Sequence, residues 1–203
     1  MSLVQFYTNP MSRGRIVRWM LEETGIEYET HILTYNGTMK DAAYLAINPM
    51  GKVPAIVHDG HVVTECAAIC AYLADAFPQA GLAPPPHQRA DYYRWLFFGA
   101  GPLETALSNK ALGFVPPPEK ERVVGYGNLE NVLNTLDLRL RESPYIAGDS
   151  FTAADVYVGA QIVWGIQFGT LGDNRPSFQA YADRIKDRPA AARANRLDEE
   201  AAA

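Results

Sequence analysis

Cysteine is scarce in this chain of 203 residues: only Cys66 and Cys70 occur, one helical turn apart. That excludes a disulfide framework and points to a reducing, cytoplasmic setting. Histidine is equally thin. His31, His58, His61 and His87 are scattered, with no CxxC pair beside them, so no metal site is expected. Positive charge is in deficit, and a net charge of −5 leaves no broad electrostatic footprint for nucleic acid or anionic lipid. Long hydrophobic runs are missing too. The first apolar segment meets Pro10, Arg13 and Arg15 too early for a signal peptide. The longest uncharged stretch, Val156 to Gly172, contains glycines and glutamines and reads as a buried core helix, not a membrane span.

What remains is an ordinary globular composition, 48% hydrophobic and 20% charged, in a chain long enough for one large domain or two small ones. "LVQFYT" is a short β-like run. After it, Ile16, Val17, Met20 and Leu21 recur at helical spacing and Gly25 supplies the stop. "IEYETHIL" alternates as a strand, and its closeness to the first strand implies a parallel pair joined by a helical crossover. A short helix is expected over "MKDAAYLAI", closed by Asn48-Pro49. "VPAIVH", Asp59-Gly60 and "HVV" then form a hairpin, because Asp-Gly accepts the positive φ angles of a tight primed turn. Thr64 is expected to cap a third helix over "ECAAICAYLADAF".

This order of elements, βαβ then αββα, predicts an α/β thioredoxin-like domain over residues 1–77. Residues 78–87, within the proline-rich stretch "FPQAGLAPPPH", read as a linker. Residues 88–203 read as an all-α C-terminal helical domain. Its Leu129, Val132, Leu133, Leu136 and Leu140 form one apolar stripe, Thr152 and Asp155 in "FTAAD" form a capping box, and "DEEAAA" reads as a frayed tail.

Three stretches carry chemistry. In "FYTNPMSRGR" two hydroxyls, Tyr7 and Ser12, flank a proline turn that has no cysteine, histidine or carboxylate. In "GKVPAI", Pro54 starts a strand where it cannot donate a ladder bond; it is either an edge-strand proline or a cis residue that turns the Val53 amide outward. In "TECAAICAYL", Glu65 and Cys66 open a helix whose free N–H groups suit a carboxylate, while Glu65 suits an ammonium. Amide, carboxylate and ammonium partners together describe a γ-glutamyl peptide. The plainer reading makes Glu65 a first-turn acid favoured by the helix dipole and Cys66 a small buried residue.

The chain resembles the cytosolic glutathione S-transferases along its whole length, through "SRGRIVRWMLEETG", "GKVPAI", "TECAAICAYL", the proline linker and "FTAAD". The resemblance implies a cytoplasmic, homodimeric detoxification enzyme of bacterial type that conjugates glutathione, its co-substrate, to small electrophiles. It also implies that Val53 pairs with the glutathione backbone beside cis-Pro54. Glu65 and Cys66 would hold the γ-glutamyl end, with Lys52 near a carboxylate. Trp95, Phe98, Leu103 and Trp164 would line an apolar co-substrate pocket, and Asp155 would serve folding. The thiolate would be held by a hydroxyl, either Ser12 as in serine-type members or Tyr7 as in tyrosine-type ones; Ser12 is favoured because it starts a helix. Most of the family has serine where this chain has Cys66, a weaker donor, so modest glutathione affinity is expected. Two other functions stand beside this one: a glutathione-dependent thiol–disulfide oxidoreductase, and a non-catalytic ligand carrier or adaptor of the same fold.

Overall fold

The structure, a computed structural model, describes residues 3–172 and 175–202. The chain divides into two compact units, Met1–Leu82 together with Asp187–Ala203, and Ala83–Lys186. The first boundary falls inside the expected proline linker. No helix among the described residues is long and apolar enough to cross a membrane.

The first unit holds a four-stranded sheet in the order β2-β1-β3-β4. The strands are β1 (Val4–Thr8), β2 (Tyr28–Ile32), β3 (Ala55–His58) and β4 (His61–Thr64). β1 runs parallel to β2 and antiparallel to β3, as the crossover reading requires. Along β1, Val4, Phe6 and Thr8 are buried while Gln5 and Tyr7 are half-buried, the alternation of a strand whose two faces meet different layers. Between β1 and β2 lies α1 (Gly14–Thr24), which buries Ile16, Val17, Met20 and Leu21. Gly25 ends it at φ 69°, its N–H returning to the Leu21 carbonyl at 3.2 Å. Asp59 and Gly60 take φ 50° and 79° at the tip of the β3–β4 hairpin, the primed turn expected of Asp-Gly.

Two local expectations are corrected. The helix over "MKDAAYLAI" is broken into a 3₁₀ turn, Thr38–Lys40, and a single-turn α2 (Ala42–Leu45), because Asp41 between them is extended at ψ 146°. Thr64 does not cap the next helix, α3 (Cys66–Ala76). It ends β4 instead, and the cap position falls to Glu65, which turns the chain at φ 65°.

The second unit is helical, with α4 (Ala90–Phe98), a π turn over Gly99–Leu103, α5 (Glu104–Ala111), α6 (Leu129–Glu142), α7 (Ala153–Gln167) and α8 (Pro176–Ile185). Val132, Leu133, Leu136 and Leu140 of the predicted stripe are buried. The capping box forms: Asp155 accepts from the Thr152 amide at 2.9 Å, and the Thr152 hydroxyl accepts from Ala154 N at 3.2 Å. Asp155 also accepts from Ile146 N at 2.7 Å and the Tyr181 hydroxyl at 2.8 Å, which ties the loop before α7 and the helix α8 to one carboxylate. Burial pushes that carboxyl up, and the same hydrogen bonds pull it back.

The largest departure lies at the C-terminus. Residues 198–202 of the tail expected to fray belong to a helix, α9 (Pro189–Ala202), which packs along α1 in the first unit although residues 88–203 read as the helical domain. Its Asp198 is fully buried and accepts from Arg18 Nε at 2.7 Å. The same guanidinium donates to the Tyr28 hydroxyl and to Thr30 Oγ1, each at 3.3 Å. Burial pushes the Asp198 carboxyl up, while Arg18 opposes the shift. Arg188 adds a two-pronged pair with Glu23 at 2.6 and 2.7 Å, and Arg193 reaches Glu22 at 2.9 Å. Removing one partner of a buried pair strands the other charge, which costs about 3–5 kcal/mol. Asp198→Ala should therefore lower stability by about 3 kcal/mol in urea denaturation. A loss below about 1 kcal/mol would place the pair among weak surface contacts.

Candidate functional site

The sheet register gathers the motif residues at one end of the first unit. Tyr7 pairs with Ala55, and Ala55 pairs with Thr64. Residues just past Tyr7, just before Ala55 and just after Thr64 therefore share one sheet end: the turn through Ser12, the Val53-Pro54 step, and Glu65-Cys66. The closest measure of this convergence is the Cys66 Sγ, 3.7 Å from the Arg13 carbonyl oxygen although 53 residues separate them.

The turn itself is hydrogen-bonded throughout. Asn9 Nδ2 donates to the Leu33 carbonyl at 2.7 Å, and Asn9 Oδ1 accepts from Met11 N at 2.9 Å. The Ser12 hydroxyl donates to the Asn9 carbonyl at 2.6 Å and accepts from Gly14 N at 2.9 Å, so it occupies the opening turn of α1. Tyr35, in the loop after β2, donates its hydroxyl to the Met11 carbonyl at 2.9 Å.

Val53-Pro54 is cis. Val53 is half-buried against Met39, Tyr44 and Ala55, and the chain before it is held by its carbonyls. Lys52 O accepts from the Tyr44 hydroxyl at 2.5 Å and from Asn48 Nδ2 at 2.9 Å. Lys40 Nζ donates to the Gly51 carbonyl at 2.9 Å. Burial pushes the Tyr44 hydroxyl up to about 12, so it stays a donor at neutral pH. Lys52 itself is exposed. Glu65 is exposed and sits in the left-handed region that favours glycine, a conformation costing about 1–3 kcal/mol and typical of ligand clamps. Cys66 is buried as the first residue of α3, and Cys70 is buried one turn later.

Tyr7 points elsewhere. Its ring stacks on His31 with centroids 4.6 Å apart and lies 5.6 Å from Tyr44, on the α2 face of the sheet. In the helical unit, Trp95 and Leu103 are fully buried in the unit's own core, so neither offers a face to a co-substrate. Arg94 lies over the Trp95 ring at 4.8 Å, and Phe98 packs edge-on against it at 5.2 Å. Phe98 and Trp164 are half-buried. Aromatic residues at helical spacing cannot be sorted into core and pocket from sequence, and here burial does the sorting.

With this geometry in place, residues 11–76 match the family model described as glutathione S-transferase, N-terminal domain. Glutathione S-transferase GstA of Escherichia coli O157:H7 is 30% identical, over 72% of this chain and 73% of that protein. Glutathione S-transferase F9 of Arabidopsis thaliana is also 30% identical, over 84% and 86%. The chain belongs to the glutathione S-transferase family. It is a glutathione transferase with a thioredoxin-like first domain and a helical second one. A sphingomonad glutathione S-transferase, solved in complex with glutathione, superposes with a TM-score of 0.76 at 29% identity, over 96% of this chain and 98% of that one.

Asn9, Tyr44 and Asn48 escaped the sequence reading, though each holds a backbone segment of this site. The signal was present in Asn48-Pro49, read only as a helix stop, and in Asn9-Pro10. An asparagine before proline at a loop entrance is placed to bond backbone two or more residues on. Gly14 is a further requirement. A Cβ there would come within 1.9 Å of Thr8 Oγ1 and 2.9 Å of Ser12 Oγ. Gly14→Ala should cost about 1–3 kcal/mol of stability, as overpacking does, and shift the Ser12 turn. Thermal denaturation that finds the variant as stable as the parent would show that Thr8 yields freely.

Proposed function

We infer that the first unit binds glutathione at the convergence of the Ser12 turn, Val53-Pro54 and Glu65-Cys66, and that the bound thiol is ionised for attack on a small electrophile. The observation that carries this reading is the 3.7 Å approach of Cys66 to Arg13, which sets the proposed thiolate donor beside the proposed γ-glutamyl clamp. The glutathione held by the sphingomonad relative supports the ligand. Val53 offers its backbone to the cysteinyl segment, Glu65 takes the ammonium, Cys66 and the α3 N-terminus take the γ-glutamyl carboxylate, and Lys52 approaches the other carboxylate. Phe98 and Trp164 are the aromatic residues left for an apolar co-substrate.

The thiolate donor in this reading is Ser12, a serine-type arrangement. A free thiol ionises near 8.5, so about 3% is thiolate at pH 7. To donate to the thiolate, the Ser12 hydroxyl must leave the Asn9 carbonyl and exchange a neutral acceptor for an anionic one. That exchange yields the difference between about 0.5–1.5 and about 1.5–3 kcal/mol, close to one pKa unit. The N-terminus of α1 adds about 0.3–1 kcal/mol. Tyr7 is the weaker candidate because its ring is committed to His31 and Tyr44. An oxidoreductase would need a nucleophilic cysteine in the turn, and "NPMSR" has none. The proposed enzyme is a cytoplasmic homodimer of bacterial type acting in detoxification.

Two measurements test this reading. In a thiolate absorbance titration, Ser12→Ala should raise the pKa of bound glutathione by about one unit and cut the conjugation rate at pH 6.5 up to about tenfold, with little change in affinity. Tyr7→Phe should leave the pKa in place. The reverse pattern would make the enzyme tyrosine-type, and no shift in either variant would end the hydroxyl mechanism. By calorimetry, Cys66→Ser should tighten glutathione binding by about 0.5–1.5 kcal/mol, one ordinary hydrogen bond. Weaker binding in that variant would mean that the thiol suits the carboxylate better than a hydroxyl does.

A further inference from the structure

Tyr7 is left over by the serine-type reading, and its surroundings are those of a separate site. On the α2 face of the sheet, a recess of about 550 Å³ is lined by Tyr7, His31, Tyr44, Thr38, Asp41 and Ile47, among others. That volume is within the range of about 300–1,000 Å³ usual for small-molecule sites. None of Ser12, Lys52, Val53, Pro54, Glu65 and Cys66 lines it.

Its chemistry is specific. Three aromatic rings meet in it: Tyr7 stacks on His31 at an interplanar angle of 19°, and Tyr44 tilts against Tyr7 at 39°. Gln5 Oε1 lies 2.6 Å from His31 Nε2 and fixes that ring. The Tyr7 hydroxyl has no hydrogen-bond partner among the described residues. Asp41 is the acidic residue of the lining; it stands at the head of α2 yet its side chain makes no capping bond. Glu29, outside the lining, sits 3.9 Å from His31. Lys40, next to Asp41 in sequence, is turned away to the Gly51 carbonyl.

We propose that this recess is a second small-molecule site, which takes a flat aromatic cation with its ring against the half-buried Tyr7 and His31, over a floor that includes buried Tyr44, and its positive group toward Asp41. Ring faces attract a cation and a ring alike, and a carboxylate with no ion pair among the described residues selects for positive charge beside them. An anionic conjugate such as a glutathione adduct is disfavoured by the same carboxylate.

The probe is proflavine, a planar acridine cation whose fluorescence reports binding. It should bind the parent protein equally well with and without saturating S-methylglutathione. Asp41→Asn should weaken it about five- to tenfold, and Asp41→Lys should abolish binding at the same concentrations. Asp41 is exposed, so both variants should fold, and unchanged S-methylglutathione affinity by calorimetry verifies this. Displacement of proflavine by S-methylglutathione would put the cation in the glutathione site and overturn the proposal. Equal proflavine affinity in the parent and Asp41→Lys would overturn it as well. Loss of S-methylglutathione binding in the parent protein would instead strike the glutathione reading and leave the recess standing.

Discussion

The Asn9 carboxamide donates to the Leu33 carbonyl and accepts the Met11 amide, so the chain leaving β1 is tied to the chain leaving β2 before α1 begins. The Ser12 turn takes its position from this tie. The Asn9 carbonyl receives the Ser12 hydroxyl, the hydroxyl receives the Gly14 amide, and Gly14 needs to be glycine because Thr8 fills the space where a side chain would begin. The site thus presents neutral donors held by other neutral groups. A helix terminus can favour an anion without a general base, since it is already oriented when the charge forms. A hydroxyl held by a carbonyl must first turn, and gains only the difference between an anionic and a neutral acceptor.

A similar logic holds the second segment. The Tyr44 hydroxyl and Asn48 carboxamide both donate to Lys52 O, and Lys40 donates to Gly51 O, so the carbonyls ahead of Val53 are satisfied within the protein. At the third segment the constraint is conformational. Glu65 occupies a backbone region that a non-glycine residue enters only when its surroundings demand it. β4 ends at Thr64 and α3 starts at Cys66, which leaves one residue to make the change of direction.

What the sequence disclosed, and what it hid, follows the distance over which each interaction acts. The Asp59-Gly60 turn, the Gly25 stop and the Thr152–Asp155 box are decided by neighbours within a few residues, and all three are as read. The capping role read for Thr64 failed because tertiary pairing kept it in β4. The pocket role that the family resemblance implies for Trp95 and Leu103 meets their burial, because helical periodicity marks an apolar face without saying what covers it. The C-terminal helix was the least legible element. "LDEEAAA" has the composition of a solvated end, and only a cation 180 residues earlier makes Asp198 a core residue.

That long separation bears on how the molecule comes to be made. During synthesis, Arg18 leaves the ribosome 180 residues ahead of the carboxylate that neutralises it. The sheet and α1 can assemble early from local contacts, but the unit they form stays open along one flank until the helical unit has been translated and α9 has come back. The helical unit is in effect an insertion between two parts of the first. Fusions, tags or deletions at α9 therefore act on the first unit, however distant they look along the sequence.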